Sequence, residues 1–296
     1  MAGLDRRNEN LGGILWMLAG VGALSLMDAC LKTLAPHYPA MQVAALRGLS
    51  ALPIVLAYVA WRRRFASVLR VRWGLHLFRG AMAIAMLAAF SFALRELPLT
   101  EAYAIFFVAP LIITALSAPV LGERVGRARW AAIAAGMLGV LVVLRPTGEG
   151  IVSLAGLAVL AAATGYALSA ITVRVLARTD SIEAMVFWLT TMLAIGATAL
   201  SASRWVPVTP AHYPVLVALA VTGAFGQYAI TAAFRRGEAS VVAPFEYSAL
   251  AWGLVLDFVF WGVLPDPIVY AGAAILVASG IYLVHRERAE RAEAPA

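Results

Sequence analysis

Apolar runs of about twenty residues, separated by short polar gaps, recur along the whole chain. They fall at about 11-34, 40-61, 72-94, 98-121, 129-144, 152-173, 182-202, 212-234, 239-262 and 267-284. Each is long enough, or nearly so, to cross a hydrocarbon core of about 30 Å as a helix. The gaps carry helix breakers: Pro36 and Pro39, Pro98, Pro146 with Gly148 and Gly150, Pro207 and Pro210, Pro265 and Pro267. Isolated strands cannot satisfy their backbone in lipid. The pattern therefore predicts an all-α integral membrane protein of ten transmembrane helices.

Composition agrees and removes the soluble alternatives. Of 296 residues, 62 % are hydrophobic and 13 % charged, against roughly half and a quarter in globular proteins. The mean hydropathy is +0.86. The net charge of +7 does not point to nucleic acid, because arginine is confined mainly to the gaps between apolar runs. Cys30 lies inside the first run, which excludes a disulfide framework and makes it a small buried hydrophobe. The N-terminus, with Arg6 and Arg7 before an apolar stretch, resembles a signal peptide, but the stretch is too long for one. It reads as an uncleaved first span.

Lysine and arginine give the orientation. With the N-terminus inside, seventeen of the 23 basic residues fall in inner segments and three, Arg95, Arg145 and Arg204, in outer ones. That bias places both termini in the cytoplasm and supports an even number of spans. Much of the positive charge then records topology and contact with anionic lipid.

The chain also repeats itself. Residues 89 to 95 align with 229 to 235, and Gly122, Trp130 and Ala131 align with Gly262, Tyr270 and Ala271, each at a separation of 140. The halves divide at about residues 1-146 and 147-296, with five spans each. An odd count inserts the second copy upside down, and an inverted-topology repeat suits alternating access.

The stretch Arg95-Glu96-Leu97-Pro98-Leu99-Thr100-Glu101-Ala102, then Pro110, Leu121-Gly122-Glu123-Arg124, Gly136, Gly139 and Arg145-Pro146 resembles the EamA repeat of the drug/metabolite transporter superfamily. Its counterpart runs through Glu238-Ala239, Pro244-Phe245-Glu246-Tyr247, Pro265-Asp266-Pro267 and Gly272. The second copy departs from the pattern where Val263 follows Gly262 in place of Glu123, which puts a structural role for a loop glutamate there in doubt. The resemblance implies a small-metabolite carrier of a bacterial inner membrane, often an exporter, with amino-acid exporters among the relatives.

Six charges lie inside spans: Asp28, Lys32, Arg47, Arg79, Glu246 and Asp257. Each costs roughly 2.5 to 3.5 kcal/mol near the bilayer centre and requires a partner or water. Glu246 and Arg79 fall in the inner half of the bilayer, the other four in the outer half. Glu246, Leu250, Gly253 and Asp257 share one face of a continuous ninth helix. Glu246 reads either as a substrate or proton carrier or as a packing partner of Arg79, and Arg79 is itself a substrate-binding cavity candidate. Asp257 reads mainly as a structural charge, and Asp28 with Lys32 as a local pair. Arg47 reads as a carboxylate site or as the neutraliser of Asp28. Glu101 and Glu238 read as helix-dipole partners, and His76 carries little signal.

Tyr103, Phe106, Phe107 and Pro110 form an aromatic face on the fourth span that ends in a breaker. Tyr166, Tyr228, Tyr247 and Trp252 complete the aromatic cavity candidates. Ala161, Gly165 and Ser169 prepare close helix approach. Pro110 and Pro244 are hinge candidates in the fourth and ninth spans.

Together these readings predict a secondary transporter with a central cavity between the repeats, moving amino acids, aromatic ones included, chiefly outward. Riboflavin, a nucleotide-like metabolite and an organic cation remain alternatives. There is no G-x-x-x-x-G-K-[ST] motif and no histidine-rich catalytic face. The expected set is no enzyme activity, cofactor, metal, nucleic acid or required protein partner.

Overall fold

The computed structural model describes residues 2–93, 96, 99–144, 153–262 and 267–292, and among these it is helical with no strand. Arg95, Pro98, Arg145, Pro146, Val263, Pro265 and the side chains of Glu101 and Asp257 lie outside the described residues. The first half runs α1 (Ala2–Leu34), α2 (Ala40–Trp61), a short α3 (Phe65–Leu69), α4 (Trp73–Ala93), α5 (Leu99–Phe106), α6 (Ala109–Leu116), a π-helical turn (Ser117–Leu121) and α7 (Arg127–Leu144). The second runs α8 (Leu154–Leu176), α9 (Ile182–Ser201), α10 (Tyr213–Arg236), α11 (Ala239–Val242), a 3₁₀ turn (Ala243–Tyr247), α12 (Ser248–Trp261) and α13 (Pro267–Ala292). Among the described residues, seven helical stretches are long and apolar enough to cross a membrane, and Ala109–Leu121 and Tyr270–Leu283 are shorter apolar helices.

Two expected spans are broken rather than continuous. Between α5 and α6 the chain makes a turn at Phe107 and Val108, because Pro110 has no N–H to continue the ladder. In the second half Pro244 opens a 3₁₀ turn that ends at Tyr247, and α12 starts anew at Ser248. Mid-helix 3₁₀ segments often mark a hinge or a sequence under strain. The α6 segment and the 3₁₀ turn pack against each other, so the two interruptions meet inside the bundle.

The helix pairs respect the internal repeat. α1 packs along α10 as α8 packs along α4, α1 touches α12 as α8 touches α5 and α6, and α2 with α9 and α7 with α13 pair across the halves. Exchanging the halves maps this packing onto itself. Backbone detail agrees: Gly122 and Gly262 are both left-handed, at φ 72° and 65°, each closing a helix with an N–H bond to the carbonyl four residues back, Ala118 and Phe258.

Close approach occurs elsewhere than expected. A Cβ on Gly48 would fall 2.8 Å from the Ala194 Cα, joining α2 to α9, and one on Gly13 would fall 2.9 Å from Gly237. At Gly165 the nearest atom would be 3.9 Å away, ordinary contact, so its small-residue run does not set the tightest crossing.

Candidate functional site

The 3₁₀ turn carries Glu246 into the middle of the bundle. The residue is only 8 % exposed and accepts a hydrogen bond of 2.8 Å from the Tyr166 hydroxyl on α8. An aromatic line leads to it: Tyr103 lies 6.0 Å from Phe90, Phe90 lies 5.7 Å from Phe106, and Phe106 lies 5.8 Å from Tyr166, ring centre to ring centre.

Arg79 on α4 is 2 % exposed. Its Nε donates to Ser169 Oγ at 3.4 Å and its Nη1 to the Met185 carbonyl at 3.3 Å. Among the described residues it forms no ion pair, so the expected bond to Glu246 is absent. Ser169 follows Tyr166 by one turn of α8, so Arg79 and Glu246 bond to the same helix at successive turns, Arg79 to Ser169 and Glu246 to Tyr166.

A second cluster lies on the outer side of the predicted layers. Asp28 is exposed although it stands within the bundle, and its electrostatic partners are Arg47 and Tyr103. Its charge is felt by Arg47 on α2. Lys32 is an exposed residue in the last turn of α1.

Other candidates are dispersed. Phe107 turns away from Tyr103 and Phe106, because the helix ends between them, and stacks 6.0 Å from Tyr247. Tyr247 is buried against Ile133 and Val140 beside Gly136, so it packs α7 rather than lining the site. Tyr228 sits in a separate cluster, 5.6 Å from both Trp16 and Tyr58. Trp252 lies over Gly22 of α1. Because Glu246 belongs to a 3₁₀ turn ahead of α12, the single helix face expected to join it to Asp257 does not exist.

Two polar clusters escaped the sequence reading. Glu123, just after Gly122, accepts the N–H groups of Ala239 and Ser240 at 2.8 and 3.0 Å and the Ser240 hydroxyl at 2.9 Å. Arg174 stands 3.6 Å away. Beside it Arg129 pairs with Glu238 at 2.6 Å, and Asn10 accepts the Glu238 N–H at 2.8 Å. Glu238 thus serves as an ion-pair partner while Glu123 satisfies the helix start. The signal was the Leu121-Gly122-Glu123-Arg124 motif itself.

The second cluster joins α4 to the connection between α8 and α9. His76 Nε2 donates to Asp180 at 2.8 Å, and the Arg72 N–H and Thr179 hydroxyl donate at 3.1 and 2.6 Å. Burial alone would raise the Asp180 carboxyl, but these bonds outweigh it and hold it below the ordinary range. No local pattern in the sequence links His76 to a residue 104 positions away.

Comparison with known proteins fits this architecture. The profile of the EamA-like transporter family matches twice, over residues 11–145 and 153–286. A riboflavin transporter of Rhizobium johnstonii is 32 % identical, covering 94 % of this chain and 93 % of its own. A pseudopaline exporter of Pseudomonas aeruginosa is 26 % identical over 92 % and 95 %, and an S-adenosylmethionine uptake transporter of Rickettsia prowazekii 23 % over 96 % of both. A solved crystal structure shares the fold with a TM-score of 0.81 at 22 % identity, over 96 % of this chain and 99 % of its own. Two matched repeats, a helical bundle built from both, and relatives named as transporters lead to one conclusion: the chain belongs to the EamA-like family of the drug/metabolite transporter superfamily and is a multi-pass membrane transporter of small molecules.

Proposed function

We propose that this transporter is a ten-helix alternating-access carrier of a bacterial inner membrane. Both termini lie in the cytoplasm, its inverted repeats divide at about residues 1-146 and 147-296, and it moves small zwitterionic metabolites, amino acids among them, chiefly outward. The bias of lysine and arginine supports the orientation, and packing that maps onto itself on exchange of the halves supports alternation. The observation that carries the reading is Glu246, a buried carboxylate on an interrupted helix, bonded to Tyr166 at the end of an aromatic line. An intramembrane carboxylate of this kind marks a substrate or proton site. The Glu123 cluster ties the repeats together on the side that the charge bias makes cytoplasmic, while Asp28 is exposed toward the other. That arrangement matches a state closed to the cytoplasm.

A second reading is a riboflavin carrier. The 32 % identical riboflavin transporter favours it, and the aromatic line suits a flat ring system. One experiment separates the two: uptake into liposomes holding the purified protein, with labelled amino acids, riboflavin and an organic cation. Amino-acid movement above empty liposomes is expected, and riboflavin movement without it replaces the first reading by the second.

A further inference from the structure

We infer that the segment from Trp61 to Trp73 is a foot on the membrane surface that binds the headgroup of an anionic phospholipid, with arginines on the phosphate and apolar side chains among the acyl chains. Only the leaflet rests on the orientation proposed above, which makes it the cytoplasmic one.

Trp61 ends one membrane-long helical stretch and Trp73 begins the next, so the residues between them lie at the surface. α3 is held against α9: Val68 is buried with Val59 and Ala184, and the Trp188 indole N–H donates to the Val68 carbonyl at 2.8 Å. The rest of the segment is open. Trp61, Phe65, Leu69 and Trp73 are exposed, Trp61 to 78 % and Leu69 to 65 %, and Phe65 and Leu69 share one face of α3. Arg63, Arg64, Arg70 and Arg72 are exposed as well, and their side chains make no hydrogen bond or ion pair among the described residues. The two acidic groups bonded to this segment are buried and engaged, Glu183 by Arg62 at 3.8 Å and Asp180 by His76, Thr179 and the Arg72 N–H. Unpaired cations beside exposed apolar side chains match a lipid that is anionic at its surface and apolar beneath.

Two details separate this cluster from charge that only orients the chain. Arg63 adopts φ 51°, a left-handed conformation that glycine or asparagine usually supplies. A cation thus occupies a turn position that by itself favours glycine. The second repeat provides the comparison. Its connection between α9 and α10, residues 202–212, is docked in the same manner, the Val206 N–H donating to the Gln42 side chain at 2.8 Å. It too exposes a tryptophan and an apolar neighbour, Trp205 and Val206, but Arg204 is its one arginine, against five between Trp61 and Trp73. Apolar exposure is common to the two connections, and the arginine cluster belongs to one. Guanidinium groups are suited to phosphate by their forked donors.

The test titrates the purified full-length carrier in detergent with phosphatidylglycerol or phosphatidylcholine. Binding is read from the shift in melting temperature and from lipid adducts in native mass spectrometry, neither of which depends on orientation. The wild type is expected to bind phosphatidylglycerol about tenfold more tightly, at about fivefold per basic group, and to lose the preference as salt rises. Arg63→Gln with Arg64→Gln and Arg70→Gln should remove most of that preference. Removing equal charge through Arg124→Gln, Arg127→Gln and Arg178→Gln should keep it. No preference in the wild type, or equal loss in both triple variants, overturns the site. Glycerol phosphate that displaces phosphatidylglycerol at equal concentration would assign the arginines to a soluble phosphate instead. Should the first triple variant fail to fold, brominated phosphatidylglycerol should quench wild-type tryptophan emission more than brominated phosphatidylcholine, and Trp61→Phe should reduce the difference; equal quenching overturns the site. In whole cells, Ala66→Cys on a Cys30→Ala background should resist a membrane-impermeant maleimide. Labelling there would overturn the orientation and leave the lipid binding standing.

Discussion

Glu123 and Ser240 are joined by two hydrogen bonds across the repeats, one to the backbone N–H at 3.0 Å and one from the hydroxyl at 2.9 Å. A carboxylate from the end of one broken span thus satisfies the start of the other. In the second repeat the corresponding position after the left-handed glycine is Val263, whose side chain cannot accept hydrogen bonds. The side chain at that position of the second repeat therefore offers no carboxylate for the same contact.

Removing that fastening should loosen one end only. Glu123→Ala leaves the Ala239 and Ser240 N–H groups unpaired, at about 1–3 kcal/mol for a buried group. With Cys30→Ala as background, a cysteine at position 241, where Val241 is fully buried, should react faster with maleimide in Glu123→Ala. An unchanged labelling rate would mean that the bonds only cap α11.

Glu246 and Tyr166 should act as one unit in transport. Glu246→Gln is expected to remove most uptake into liposomes, and Tyr166→Phe to lower it by up to about tenfold, within the range of a hydrogen bond to a charged group. The double variant should be no worse than Glu246→Gln alone. Wild-type uptake and pH dependence in Glu246→Gln would return the residue to a packing role.

The glycines offer a contrast in stability. Gly48→Ala places a methyl 2.8 Å from the Ala194 backbone, where neither helix can yield locally. It should cost about 1–3 kcal/mol, the range for overpacking. Gly165→Ala meets nothing closer than 3.9 Å and should leave the melting temperature within about a degree or raise it, as alanine favours helix. Melting curves in detergent compare the two.

Asp180 should govern the acid limb of stability. Its carboxyl is held below the ordinary range in the folded protein, so the unfolded state binds a proton first as pH falls. The stabilisation is complete above the unfolded value of about 4 and disappears as pH falls through the lower folded value. Asp180→Asn should therefore lower the melting temperature at neutral pH and flatten its decline in acid. A parallel decline in both proteins would assign the acid sensitivity to other groups.

The sequence was legible wherever a signal is local. Apolar runs marked the helices, Pro110 and Pro244 marked the places where two of them break, and Gly122 with Gly262 marked the repeat. The candidate site residues were legible as types, since Glu246 and Arg79 stand out as charges in apolar surroundings. Their relationship was not: a 3₁₀ turn at Ala243–Tyr247 rotates Glu246 out of the register that a continuous helix would give it, toward Tyr166. His76 was unreadable for a different reason. Its partner Asp180 reaches it only through packing of α4 on α8 and α9, and such long-range pairing leaves no periodic trace.

The self-mapping of the helix pairs has a practical corollary for spectroscopy. If the halves trade conformations during transport, the spacing of α1 and α10 in one state becomes the spacing of α8 and α4 in the other. A pair of spin labels on each couple, measured before and after a shift in state, would show mirrored distance changes. The molecule thus contains its own ruler: one half calibrates the motion of the other without a second structure.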